Sequence, residues 1–151
     1  MTVLAHPYTK FALNPPSPAF PKLTHRFRPL IPVTLVHGGK PVSLYAIVDS
    51  GADTSIFGLE VAKFLGIDVH TGTKEAFCGT SGKEQIAYYH DMTLQFRDGV
   101  DANTAVVYRA IIGFTDLPEA AAGLLGQVAF FDHFVVTFSQ KKEQVLLRYD
   151  S

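Results

Sequence analysis

The chain of 151 residues has a single cysteine, no long hydrophobic run and no acidic residue before Asp49. One cysteine, Cys78, excludes an internal disulfide framework. No apolar run approaches the roughly 18 residues that a membrane span needs, and the N-terminus carries no signal-peptide pattern. We therefore expect a cytoplasmic protein without a membrane partner. The hydrophobic fraction of 47% and the charged fraction of 18% favour one globular domain over a disordered chain or a coiled coil.

The small net charge of −1 conceals an uneven distribution. Residues 1–48 contain five of the 13 Lys and Arg residues, whereas residues 49–151 contain eight of them against all 14 acids, so the two parts carry +5 and −6. A basic arm beside an acidic body suits nucleic acid, an anionic membrane, its own body or a second copy of the chain. Because five charges scattered among prolines form no dense basic stripe, we favour the protein surface and expect no nucleic acid.

Six of the nine prolines fall within residues 1–30. Proline lacks the backbone donor that a sheet requires, and it interrupts helices, so this part is predicted to be irregular or extended and to lie outside the core. We therefore divide the chain into a proline-rich basic arm, residues 1–29, and a domain, residues 30–151.

The remainder of the chain consists of short runs of alternating apolar and polar residues separated by turn residues, which predicts an all-β domain with two or three short helices. The predicted elements are hairpins over residues 31–48, 73–89 and 134–149, strands over 92–97 and 104–112, helices over 59–65 and 117–122, and a helical turn over 128–131.

The segment that carries most chemical information is residues 45–55, in which an apolar strand ends at Asp49. A carboxylate at the end of a buried strand is costly unless the protein requires it there. Ser50 offers a hydroxyl group, and Gly51 allows close approach of the backbone and exposes its N–H. The segment is suited to holding a carboxylate rigidly and in the open, although Asp and Gly also favour an ordinary turn.

Residues 49–52 (Asp-Ser-Gly-Ala), their apolar lead-in and the helix predicted after them resemble the retropepsin-like aspartic proteases, the retroviral-type, single-domain members of the acid-protease fold. Residues 124–126 (Leu-Leu-Gly) are similar to the second motif of that family, and residues 130–138 continue in the style of its bacterial members. The resemblance covers about residues 30–149 and implies an acid-protease-like closed β-barrel of hairpins.

The resemblance also implies an activity, an aspartic endopeptidase in which two carboxyl groups share one proton and activate a water. The chain has one Asp-Ser-Gly, so Asp49 needs the Asp49 of a second copy, which implies a homodimer. Asp49 is then the general acid and base, Ser50 bonds across the dimer beneath the carboxylates, and the Gly51 N–H supports the carboxylate. No metal and no cofactor are expected, and the six histidines show no metal-ligand spacing.

The hairpin over residues 73–89 corresponds to the flap of that family, which closes over an extended peptide. An ordinary surface hairpin is the alternative interpretation. The resemblance implies that a peptide or protein substrate contacts the loop after the catalytic motif and the tip of the flap, namely Ala52, Asp53, Gly79, Thr80, Ser81 and Gly82.

One position departs from the pattern of the family. Retroviral members often have Arg after the glycine of the second motif, paired with the Asp that follows Gly-Ala; here that position is Gln127, while Asp53 is retained. Arg109 or Arg148 is left open as a substitute partner. The departure and the arm agree equally well with a second interpretation, a catalytically inactive retropepsin-fold module for dimerisation or protein binding.

Overall fold

A computed structural model describes residues 1–78, 82–118 and 123–151, and confirms an all-β fold with few short helices. In chain order the elements are β1 (Thr2–Pro7), β2 (Thr9–Ala12), β3 (His25–Arg28), β4 (Leu30–His37), β5 (Lys40–Val48), β6 (Ile56–Gly58), α1 (Leu59–Phe64), a 3-10 turn (Val69–Thr71), β7 (Thr73–Cys78), β8 (Glu84–Arg97), β9 (Ala105–Thr115), β10 (Gly123–Leu125), a π-helical turn (Gln127–Phe131), β11 (Val135–Ser139) and β12 (Gln144–Tyr149). No helix in the described part of the chain is both long and apolar enough to cross a membrane.

The larger sheet has seven strands in the order β4-β5-β10-β6-β9-β8-β7. Strand β8 is long enough to pair with β7 through its first half and with β4 through its second half, so that the pairing returns to the first strand of the sheet. The two strands expected over residues 85–89 and 92–97 are this one strand, because His90 and Asp91 continue the ladder with β9.

The hairpin predicted over residues 31–48 is confirmed as β4 and β5. Ile31, Val33 and Leu35 of β4 are buried on one face, as the alternation predicted. Its turn contains Gly38 and Gly39 with φ of +57° and +76°, the left-handed region that glycine enters at little steric cost.

The first strand contradicts the prediction that residues 1–30 lie outside the core. Strand β1 pairs with β12, which pairs with β11, and these form a three-stranded sheet. Leu4 is fully buried in the same core as Phe96 and Leu147. The reason is local: residues 2–6 contain no proline, and Pro7 stands at the end of the strand, where a missing donor costs little.

A turn from the larger sheet fixes the outer edge of β1. The backbone N–H of Ala5 donates to the Asp98 carboxylate at 2.7 Å, and the N–H of Gly99 donates to the Ala5 carbonyl at 3.0 Å. These two hydrogen bonds join the two sheets. They also cover the outer edge of β1, and an unpaired strand edge can otherwise associate with other chains.

Three helical predictions had different outcomes. Helix α1 is confirmed with Ala62 and Leu65 buried, although Leu59, expected on the same side, is 39% exposed. Of the helix predicted over 117–122, residues 119–122 lie outside the described residues, and 116–118 form no regular element. The helical turn predicted over 128–131 is irregular, because Val128 is extended (ψ 135°) and Ala129 has a φ of 78°.

Candidate active site

The fold brings the two motifs of the sequence together. Strands β5 and β10 lie side by side and parallel, with Ile47 opposite Leu124 and Val48 opposite Leu125. Just beyond this ladder the backbone N–H of Asp49 donates to the carbonyl of Leu125 at 2.9 Å. The Asp-Ser-Gly loop therefore begins beside residues 124–126, and its first residue is hydrogen-bonded to them.

The Asp49 carboxylate is held by its own loop. Its Oδ1 accepts a hydrogen bond from the N–H of Gly51 at 2.9 Å, and the Asp49 carbonyl accepts one from the N–H of Ala52 at 3.2 Å. Asp49 is half-buried, whereas Ser50 and Gly51 are exposed. A backbone donor aimed at a half-buried carboxylate orients the group and leaves a face of it available.

Gln127 takes part in this loop, although it cannot form the ion pair of an arginine. Its side-chain Nε2 donates to the Ser50 carbonyl at 3.1 Å, and its backbone N–H donates to the Ala52 carbonyl at 2.8 Å. Neither substitute cation considered from the sequence pairs with Asp53, since Arg109 pairs with Asp91 and Arg148 with Asp150. Within the described residues Asp53 has no ion-pair partner, and neutral hydrogen bonds from Gln127 connect the loop to the second motif.

Ser55 is a buried residue of the site that the sequence analysis missed. Its Oγ accepts a hydrogen bond from the N–H of Gly126 at 2.9 Å and donates to the carbonyl of Val128 at 2.9 Å. It is fully buried. One serine among several in the chain carries no distinguishing pattern, so only the fold reveals that this hydroxyl bridges the segments after β5 and β10.

Gly126 permits the close contact between these segments. A Cβ built on it would lie 2.3 Å from the Thr54 carbonyl oxygen and 2.6 Å from that of Ala52. Both are backbone atoms of the loop that follows Asp49, so any larger residue would push the two motifs apart. The glycine of the second motif is thus explained by space rather than by φ.

A cleft of about 390 Å³ opens beside Asp49. The hairpin of β7 and β8 contributes Phe77, Cys78 and Gln85 to it. The other lining residues come from the loop that carries Asp49 and from its neighbours, and are Asp49, Gly51, Ala52, Asp53, Thr54, Ile56, Leu117 and Leu124. The described ranges contain no group of three His, Cys, Asp or Glu side chains placed to hold a metal ion.

Of the residues expected to contact substrate, some line the cleft, one does not, and the others lie outside the described residues. Ala52 and Asp53 line the cleft. Gly79, Thr80 and Ser81 lie outside the described residues. Gly82 has a φ of +72° and lies just before β8, but it is not among the residues that line the cleft.

Comparison with known proteins supports the fold. No family model and no curated protein matches the sequence. Among solved structures, a retropepsin-like aspartic protease from Rickettsia conorii is similar with a TM-score of 0.50 and 17% identity, over 78% of this chain and 89% of that chain. EIAV protease in complex with an inhibitor matches with a TM-score of 0.37 and 19% identity, over 66% of this chain and 82% of that one. The chain therefore has the fold of the retropepsin-like aspartic proteases, as residues 49–52 and 124–126 predicted.

Proposed function

We propose that this protein is an aspartic endopeptidase whose active site is formed by two copies of the chain, each supplying one Asp49. The observation that carries the proposal is the setting of Asp49, whose backbone is bonded to Leu125, whose carboxylate is bonded to the Gly51 N–H, and which lines a cleft. A carboxylate held in this way at a peptide-sized opening is suited to acid and base catalysis.

Two carboxyl groups about 3 Å apart cannot both ionise, so they share one proton. The ionised Asp49 accepts a proton from a water as that water attacks the carbonyl carbon of the scissile peptide bond. The protonated Asp49 of the other copy assists at the carbonyl oxygen, and a proton then passes to the amide nitrogen as the C–N bond breaks. No covalent intermediate is needed, and the pair titrates as a unit.

A second copy is required because the chain contains one Asp-Ser-Gly sequence. A two-fold axis beside the loop places the same residue on both sides of the site. The exposed Ser50 hydroxyl is then available to bond to the other copy beneath the carboxylates, while the Gly51 N–H continues to hold each carboxylate.

The proposed substrate is a peptide or protein segment bound in extended form in the cleft. The loop residues Ala52 and Asp53 form one wall, and Phe77 and Gln85 of the β7–β8 hairpin contribute to the cleft as a flap would. Closure of such a hairpin excludes water and adds backbone hydrogen bonds to the substrate.

A peptide-library digest between about pH 4 and pH 7 tests the proposal, with wild type beside Asp49→Asn. Asp68→Asn is a matched control, because Asp68 is exposed and an asparagine can still accept the hydrogen bond from the His70 N–H. We expect cleavage by the wild type and the control and none by Asp49→Asn. Equal digests from all three proteins at every pH would exclude the activity.

The Asp49→Asn variant also distinguishes the peptidase from the alternative, a catalytically inactive module for dimerisation or protein binding. A module that only binds or dimerises would give no Asp49-dependent cleavage, and its binding would be unchanged in Asp49→Asn. Light scattering adds an independent measurement, since a strict monomer at high micromolar concentration cannot assemble a shared carboxyl pair.

A further inference from the structure

The β2–β3 hairpin stands apart from both larger sheets. Its strands pair only with each other in the described part of the chain. It is attached near its base, where the N–H of Tyr8 donates to the Glu143 carbonyl at 2.8 Å and the Thr9 hydroxyl donates to the Leu30 carbonyl at 3.0 Å. His25 and Phe27 of β3 are half-buried, so one face of the hairpin is partly packed, whereas Arg26 and Arg28 on the other face are exposed. A two-stranded hairpin is marginally stable in water, and its open face is available to a partner surface.

The hairpin and the loop between its strands expose large apolar side chains. Phe20 is 65% exposed, Phe11 46% and Leu23 40%. Single exposed apolar residues are ordinary, but several within a short projecting segment favour a protein contact.

The same segment is basic. Lys10, Lys22, Arg26 and Arg28 are exposed, and none of them forms an ion pair with the described residues. No acidic residue occurs within residues 1–48, whereas residues 49–151 carry a net formal charge of −6. Because none of these cations pairs with the described residues of its own chain, the acidic body of a second copy is a surface of complementary charge.

We propose that the β2–β3 hairpin is a dimerisation arm that packs on the acidic body of a second copy of the chain. The proposal rests on the homodimer of the proposed function and assigns an attachment to it. With two-fold symmetry each copy gives one arm and receives one, so every contact is made twice. Opposite charges direct the encounter, and the exposed apolar side chains become buried.

The dissociation constant of the dimer, measured by analytical ultracentrifugation at low and high salt, tests the proposal. The double variant Arg26→Glu/Arg28→Glu reverses two charges of the hairpin. Lys141→Glu/Lys142→Glu reverses two exposed charges in the turn between β11 and β12 and is the matched control. We expect the hairpin variant to weaken the dimer by about tenfold or more at low salt and less at high salt, with little change in the control.

A second variant separates docking from misfolding. Phe20→Ser leaves every charge in place, so we expect it to weaken the dimer at both salt concentrations with an unchanged circular-dichroism spectrum. Carboxyl–amine cross-linking of a mixture of ¹⁴N and ¹⁵N protein should join Lys10 or Lys22 to carboxylates of the other isotope. Cross-links confined to one isotope, or an unchanged dimer in both hairpin variants, would overturn the proposal.

The outcomes separate this inference from the proposed function. If both hairpin variants dimerise as tightly as the wild type, the dimerisation arm is excluded and the proposed peptidase activity is unaffected. If the hairpin variants weaken the dimer but the wild type cleaves no peptide, the dimerisation arm is supported and the proposed peptidase activity is excluded. Loss of binding to a labelled DNA duplex in the charge-reversed variant, with the dimer intact, would assign the hairpin to nucleic acid and contradict the proposal.

Discussion

The backbone N–H of Gly126 donates to the buried hydroxyl of Ser55 at 2.9 Å, across 71 positions of sequence. The same hydroxyl donates to the carbonyl of Val128. Ser55 thereby fixes the segment after β10 against the loop that carries Asp49. Loss of this side chain would leave the buried N–H of Gly126 without this partner and would remove a donor from the Val128 carbonyl.

Replacement of Ser55 by alanine is expected to lower the free energy of unfolding by about 1–3 kcal/mol, the usual cost of an unsatisfied buried polar group. Ser43→Ala is the control, because the Ser43 hydroxyl bonds to Thr34 on the exposed surface and water can replace it. Urea unfolding of both variants gives the comparison. Equal losses in the two variants would show that Ser55 does not join the motifs in the way described.

Gly126→Ala is expected to be more damaging, because its Cβ would overlap a backbone oxygen, that of Thr54, at 2.3 Å. We expect a loss of about 3 kcal/mol in unfolding free energy, and loss of cleavage as the loop of Asp49 moves. Gly58→Ala is the control, because no atom lies within 4 Å of a Cβ built at that position. We expect it to lower the free energy of unfolding by no more than about 1 kcal/mol. A Gly126→Ala protein as stable and active as Gly58→Ala would refute the close approach.

Strand β1 is expected to contribute stability even though it belongs to the proline-rich part of the chain. Leu4 is fully buried, so Leu4→Ala should cost about 2–5 kcal/mol through lost contacts and a residual cavity. The neighbouring Val3 is 45% exposed, and Val3→Ala should cost well under half as much. Chemical denaturation measures both, and similar small losses would indicate that β1 is not part of the core.

His6 makes stability depend on pH. It is 2% exposed, its Nε2 has no hydrogen-bond partner in the described structure, and burial lowers its pKa from 6.5 against the opposing effect of Asp98. Between its lowered pKa and 6.5 the unfolded chain binds more protons than the folded chain, so stability falls as pH decreases through this window.

Unfolding free energies measured from pH 7 downwards should therefore decline in the wild type and decline less in His6→Leu. His37→Leu, at an exposed position, is the control and should follow the wild type. Asp98 acts in a separate, more acidic range. The Ala5 N–H and other backbone donors lower its pKa from 3.8, so its contribution to stability is lost as pH falls from 3.8 through that lowered pKa. Parallel curves for wild type and His6→Leu would contradict the assignment.

The sequence was most informative where local patterns and structure coincide. Alternating residues predicted β4, β5 and β12, and a short helical stretch ending at Gly66 predicted α1. Strand β6 was missed because three residues, Ile56–Gly58, are too few to show a period, and its pairing with β9 and β10 is entirely long-range. Strand β1 was misjudged because nearby prolines were given more weight than the buried alternation of Leu4 and His6.

The candidate site was predictable in its motifs and not in its contacts. Asp49, Gly51 and the second motif follow from the residues themselves. The bond from Gln127 to the Ser50 carbonyl and the bridge made by Ser55 depend on which segments the fold places side by side. Those contacts join positions more than 70 residues apart, and no local pattern encodes them.

The central claim, that one active site uses the Asp49 of two copies, is tested most directly by mixing wild type with Asp49→Asn at constant total protein and measuring peptide cleavage after the subunits have exchanged. In an equal mixture only dimers of two wild-type chains retain both carboxyl groups, so activity should fall to about a quarter of that of pure wild type. A fall to about a half, as expected for chains that act independently, would contradict the shared site.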